Sequence, residues 1–397
     1  GSMESVWNIR SIATMLRFIF AISLLAGFPL IAAEVLNNLP GPKTPSPLDQ
    51  FILKGMKEAK VPGLAALTIK EGKIFWAGYY GWAKIETKTP VTQDTLFQLA
   101  SISKTVTACM IMQQVEQGKL KLDVDINTLL PFKVRNPMHA DKPITLRQLL
   151  THTSGIRDNW NVLEKNWVKN GDFKKPLAES LPAYMVEGGE FFSAEKSFYG
   201  WAPGSKNQYC NVALALAAYV AEAKAKTSFE VLCEQGIFKP LGMDGAAFRL
   251  AAVDPKKVAM PYAYRKKTGE FKALGHHGYL DYPAGTLRAT APHLARFLLM
   301  FMKEGKFGET RVLKAATVEA MKKIQFPKID KKQGLAWYYD RIAGKQMIGH
   351  DGGDPGVFTQ MFCEPKDGTG IIVLMNGEPK KDSFEKALSQ RLLEQVK

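Results

Sequence analysis

Cysteine is scarce in this chain of 397 residues, and the four present (Cys109, Cys210, Cys233 and Cys363) fall at no redox or metal-ligand spacing. They argue against a disulfide framework and read as free, buried thiols. The six histidines are dispersed, with no His-x-x-x-His pair, so no metal site is implied. Phosphate-binding loops and dinucleotide turns are also missing, which leaves no cofactor to expect. Lysine and arginine total 53 against 38 acidic residues, a net charge of +15, yet the basic residues are scattered and build no arginine-rich arm or basic–aromatic stripe. That pattern points away from nucleic acid. It fits a weak general attraction to anionic polymers or membranes.

Long apolar runs are lacking as well. The longest, Phe18 to Ala33, is about sixteen residues and contains Pro29, short of the ~20 a spanning helix needs. Arg10 and Arg17 precede it and small residues end it before Glu34, the pattern of an export signal. The expectation is an exported protein, periplasmic or secreted. The alternative is an uncleaved N-terminal anchor that gives membrane association. Gly1-Ser2 reads as an expression scar, and residues 37–49, rich in Pro and Asn, as a linker.

What is present suggests an α+β fold. Alternating apolar runs at 63–70 and 73–81 meet at Glu71-Gly72 as a hairpin. Runs at 334–341 and 345–348 turn at Ala343-Gly344, and 357–363 and 369–375 form a third pair. Strands near both termini predict one antiparallel sheet built from the two chain ends and flanked by helices, with a mostly helical middle. The expected division is 34–125 plus 285–397 for the sheet domain and 126–284 for the helical one. Helices are expected at 48–60, 105–117, 146–152, 212–225 and 291–304.

Ser-x-x-Lys occurs three times, at Ser101/Lys104, Ser193/Lys196 and Ser383/Lys386. Only the first opens a buried apolar helix, where one turn puts hydroxyl and amine on one face, Cβ atoms roughly 5–6 Å apart. Free N–H groups at such a helix start can hold an oxyanion, and a neutral amine can take the serine proton. Three further segments follow in order: 144–155 (ITLRQLLTHTSG), 203–211 (PGSKNQYCN, with the chain's single Tyr-x-Asn) and 349–356 (GHDGGDPG).

Together with VPGL at 61–64, the run before Ser101 and PAGTL at 283–287, these motifs resemble the serine hydrolases of the class C β-lactamase and penicillin-binding-protein superfamily, over roughly residues 48–377. That group includes D-aminopeptidases and family VIII carboxylesterases. The resemblance implies a β-lactamase/transpeptidase-like fold and an acyl-enzyme on Ser101. Lys104 and Tyr209 then share proton transfer, with the choice of base left open. Asn211 would orient Lys104 and bind substrate, as would His350 and Gly352 in a segment directly ahead of a strand pair, and the backbone N–H groups of Ser101 and Gly353 would form the oxyanion hole. His152 and Thr153 are expected to hold a helix end and loop, Cys210 to pack, and His276-His277 to lie in a loop. The aromatics Trp160, Trp167, Phe191, Phe192, Tyr199 and Trp201 line an acyl pocket or form the core of their own insert.

In β-lactamases a Lys-Thr-Gly triplet stands where this chain has His350-Asp351-Gly352. A mostly neutral histidine attracts a substrate carboxylate weakly, which favours small esters, and amides, over penicillins. Asp351 adds a negative charge suited to a cationic or neutral substrate. The expected activity is therefore that of a carboxylesterase. The alternatives are a D-amino-acid peptidase or β-lactamase-like enzyme and, outside catalysis, a penicillin-binding sensor or inactive scaffold. Oligomeric state is not readable.

Overall fold

The computed structural model describes residues 29–380 and 383–397. Gly1-Ser2, the two arginines and most of the apolar run lie outside the described residues.

Seven strands form one antiparallel sheet: β1 (Gly63–Lys70), β2 (Lys73–Lys84), β3 (Thr89–Pro90), β4 (Tyr338–Ile342), β5 (Lys345–Asp354), β6 (Val357–Glu364) and β7 (Thr369–Met375). Their order is β4-β5-β6-β7-β1-β2-β3. The two chain ends meet at the β1–β7 pair, from Leu64 opposite Met375 to Ile69 opposite Gly370. Both faces of the centre are covered, so β7 is buried throughout and reads as a continuous apolar run.

On one face Leu64, Ala66, Ile371 and Val373 pack beneath the terminal helices. These are Pro47–Ala59 (α2) and Phe384–Glu394, whereas the helix Ala32–Asn37 (α1) packs in a separate cluster with Tyr262 and Phe271. A capping box between Ser46 and Asp49, with Pro47 at the first helical position, starts α2. The last helix buries its stripe of Phe384, Leu388 and Leu392 against α2, and Val396 just beyond joins the same cluster. Gly55 is where they meet, because a Cβ there would fall 2.1 Å from the Phe384 ring.

The other face, with Ala65, Leu67, Ile372 and Leu374, joins the larger core. There α3 (Ser103–Glu116) and α4 (Asn211–Ala225) are buried along most of their length, as helices surrounded by protein are. All four cysteines are free and buried.

Two expectations change. The β4 strand begins only at Tyr338, because Ala336 takes a left-handed φ of 61° and Trp337 turns into the core, stacked 3.6 Å from the Phe301 ring. In contrast, β5 runs on through His350–Gly353, so that motif lies inside a strand rather than ahead of one. The chain just before the expected linker is structured too. Ala32 N–H donates to Gly269 O and Phe271 N–H to Leu30 O, and Ala32 and Leu36 are buried beside Tyr262 and Phe271. The small residues before Glu34 are thus the first turn of a packed helix. No helix among the described residues is long and apolar enough to cross a membrane.

Candidate active site

Ser101 sits on the single turn Ala100–Ile102 that leads into α3. Ala100 has a left-handed φ of 48°, an uncommon conformation for a residue with a side chain and one that clusters at functional sites. Leu99 on one side of the turn bonds through its N–H to Leu287 O, and its carbonyl accepts from Thr359 Oγ1 on β6 at 2.7 Å. The turn is thereby pinned to the sheet.

One turn on from Ser101, at the start of α3, Lys104 is fully buried. Its Nζ donates to Ser101 Oγ at 2.7 Å and to the Ala284 carbonyl at 2.9 Å. Burial pushes the ammonium down to about 8, against the opposing pull of Asp281, Asp158 and Asp354. Tyr209 reaches the same atom from a different segment, donating from its hydroxyl to Ser101 Oγ at 2.6 Å. The tyrosine is 41% exposed, yet the protein packed around it desolvates the phenol and pushes it up. The Lys104 Nζ lies 4.8 Å from the Tyr209 ring centroid. One hydroxyl thus receives two donors, an amine lowered toward neutrality and a phenol that keeps its proton.

The third wall is β5. Lys345 pairs with Ile342 across the two-residue turn Ala343-Gly344, both with positive φ. Such a turn makes the flanking pair the hydrogen-bonded one, and with period two Met347 and Gly349 also bond toward β4. Asp351 and Gly353 aim their N–H groups to that same side, where β4 has already ended opposite Gly349. The Gly353 N–H therefore opens into the cavity rather than into a ladder. Gly352 lets the strand approach: a Cβ on it would lie 2.7 Å from Leu99 O and 2.8 Å from Ser101 N. His350 is buried on the same strand, its Nδ1 2.5 Å from Asp351 O and its Nε2 without a partner among the described residues. Burial and the Lys104 charge hold its imidazole down to about 4, so the 3.9 Å approach to the Asp351 carboxylate is no ion pair at neutral pH.

Ser101, His152, Tyr209, Gln333, Tyr338, His350, Asp351, Gly352 and Gly353 line a cavity of about 350 Å³. A larger one of about 680 Å³, near Asp94 and His293, holds no serine–lysine pair, so volume alone does not locate the chemistry. The other Ser-x-x-Lys pairs lie elsewhere: Ser193 accepts from the Lys196 backbone in a loop, and Ser383 begins the last helix. None of the six insert aromatics lines the Ser101 cavity. Tyr199 and Trp201 stack at 5.4 Å, and Phe191 and Phe192 pack on the main core.

Asn211 needs correction. Its amide donates to Asp158 Oδ2 at 2.8 Å, it does not line the cavity, and Lys104 is held by the Ala284 carbonyl instead. An amide at a helix start pairs with whatever acceptor lies closest, and here that is Asp158. The same carboxylate accepts from the backbone N–H of Asn211 and Val212 and caps α4, which fixes the segment carrying Tyr209. Asp158 is the residue that sequence reasoning missed. Its one signal was an acid just after the 144–155 motif, with nothing to indicate a partner about fifty residues on. His152 holds the loop as expected, accepting from Cys210 N–H at 3.1 Å, and its ring also lies 4.4 Å from the Tyr209 ring, tilted by 36°. His276 and His277 lie in a loop, both buried.

The sequence profile of the Beta-lactamase family matches residues 48–395. The chain belongs to the beta-lactamase family. The beta-lactamase/transpeptidase fold is mixed α/β with a large antiparallel sheet, and the family is of serine hydrolase type. Esterase EstB of Burkholderia gladioli is 30% identical over 226 residues, 54% of this chain and 54% of that protein, so the match spans about half of the relative. Penicillin-binding protein 4 of Amycolatopsis lactamdurans is 25% identical over 81% of this chain and 82% of its own. Among solved structures, the octameric penicillin-binding protein homologue from Pyrococcus abyssi aligns with a TM-score of 0.71 at 25% identity, covering 87% of this chain and 77% of that one.

Proposed function

We propose that this chain is an exported serine hydrolase that opens small carboxylic esters, and amides more slowly, through an acyl-enzyme on Ser101. One observation carries the reading: Ser101 Oγ lies 2.7 Å from Lys104 Nζ and 2.6 Å from the Tyr209 hydroxyl. Lys104, lowered to about 8, is neutral in about one molecule in ten at pH 7 and serves as the base. It takes the serine proton as Oγ bonds to the carbonyl carbon. The Ser101 and Gly353 N–H groups receive the oxyanion, a contribution of about 3–4 kcal/mol per donor. Tyr209 keeps its own proton and steadies Oγ, while the Lys104 ammonium returns the captured proton to the departing oxygen. Water then repeats the sequence, losing a proton to neutral Lys104 and releasing the acid.

The preference for esters over penicillins rests on neutral His350 where β-lactamases have lysine, and EstB adds an esterase relative. A second reading, hydrolysis of D-amino-acid peptides, draws on the broad match to a penicillin-binding protein. A fluorophosphonate probe followed by peptide mapping tests the mechanism: Ser101 is labelled in the wild type, and Ser101→Ala is silent. Label on another residue, or undiminished in Ser101→Ala, ends the proposal. Short-chain nitrophenyl esters are expected to turn over far faster than nitrocefin; the reverse order assigns the protein to penicillin hydrolysis.

A further inference from the structure

The cavity in front of Ser101 is poor in charge although the chain is strongly basic. No lysine or arginine lines it, and Lys104 sits behind Ser101, wholly buried. His152 and His350 are held neutral by burial and by the Lys104 charge, and burial pushes up the phenols of Tyr209 and Tyr338. That leaves Asp351, whose side chain is 59% exposed.

An aspartate carboxylate is an anion at neutral pH. This one is also oriented. Its Oδ1 accepts from the Tyr338 hydroxyl at 2.6 Å. The Tyr338 ring is itself locked edge-on against His350, at 5.0 Å, and Phe362, at 5.6 Å. The second oxygen, Oδ2, accepts no hydrogen bond from the described residues. Two residues of extended strand separate Asp351 from Gly353, about 7 Å. A group meeting the carboxylate would therefore stand only a few bonds from the carbonyl held at the Gly353 N–H.

We propose that Asp351 selects substrates by charge, so that the site takes small esters or amides carrying an ammonium group near the scissile bond and turns away those carrying a carboxylate. The proposal rests on the acyl-Ser101 reading above and narrows its substrate class.

Three thioesters of matched size test it at low ionic strength: acetylthiocholine (cationic), 3,3-dimethylbutyl thioacetate (neutral) and 3-(acetylthio)propanoate (anionic). The readout is kcat/KM from loss of thioester absorbance. An exposed charge attracts one substrate and repels the other, so the wild type should favour cation over anion roughly 5- to 30-fold. The ratio should shrink as salt screens it. In Asp351→Asn, a substitution of the same shape at an exposed position, it should fall to near one. Tyr338→Phe, which frees the carboxylate without removing it, should keep the sign of the preference. A ratio unchanged between wild type and Asp351→Asn, or one that favours the anion, overturns charge selection while the acyl-Ser101 mechanism stands. Failure of that mechanism has its own mark: the thioesters go unhydrolysed and fluorophosphonate leaves Ser101 unlabelled.

Discussion

Replacing Gly352 with alanine tests how the oxyanion site is built. The added methyl would lie 2.4 Å from Thr359 Oγ1, 2.7 Å from Leu99 O and 2.8 Å from Ser101 N. Thr359 cannot simply rotate away, because its hydroxyl bonds Leu99 O at 2.7 Å, and the other two atoms are backbone. Opening those contacts to an ordinary 3.4 Å requires β5 and the Ser101 turn to part by about 0.7 Å. Oxyanion donors act within 2.7–3.1 Å, so a retreat of that size carries the Gly353 N–H beyond reach and should cost about 10²–10³-fold in kcat. Overpacking should cost about 1–3 kcal/mol of stability. The assay is kcat for a short nitrophenyl ester at saturation, alongside a urea midpoint that shows the variant is folded. At Gly353 the same methyl would meet only Val357 O, at 3.9 Å, so Gly353→Ala should keep wild-type stability. A folded Gly352→Ala enzyme with kcat within threefold of wild type would refute the geometry.

Three other outcomes follow from the electrostatics and the capping. Lys104 works as a base only when neutral, so kcat/KM for a neutral ester should rise with pH through about 8 and stand near a tenth of its plateau at pH 7; a flat profile from pH 6 to 9 removes lysine from the role. Asp281, itself raised by burial to about 7, holds the ammonium up, so Asp281→Asn should move that limb to lower pH. Asp158→Ala should lower stability by about 1–2 kcal/mol through loss of the α4 cap and reduce kcat by loosening Tyr209, with Asp158→Asn between; an unchanged melting temperature and kcat would detach Asp158 from the site.

Much of this was legible from residues alone, for identifiable reasons. The β7 strand was expected at 369–375 and occupies Thr369–Met375, because an unbroken apolar run beside a Lys-Asp-Gly turn admits few other folds. Ser101, Lys104 and Tyr209 were found by their order along the chain, and the structure brings their polar atoms together. What failed has a common cause. The stretch 350–354 carries two glycines and two aspartates, so it shows no alternation and reads as a loop, yet backbone pairing with β6 keeps it extended. The Ala284 carbonyl that holds Lys104 belongs to the backbone and leaves no trace in side-chain identity. Asp158 looks like any loop acid until α4 is brought over it. Tyr338 lay inside an expected strand, and the shortening that sets it beside Asp351 depends on Trp337 finding a slot against Phe301.

The seam between β1 and β7 joins positions about 300 residues apart, Leu64 with Met375. During synthesis the N-terminal hairpin must wait, its inner edge uncovered, until the residues of β7 have left the ribosome. Loop closure over such a span is slow and leaves pairing groups open to wrong partners in the meantime. Reactivity at Ser101 is therefore acquired late and all at once, since the strand facing it follows the serine by about 250 residues. A chain cut short before β5 would have the serine and its lysine but no opposing wall against which to work.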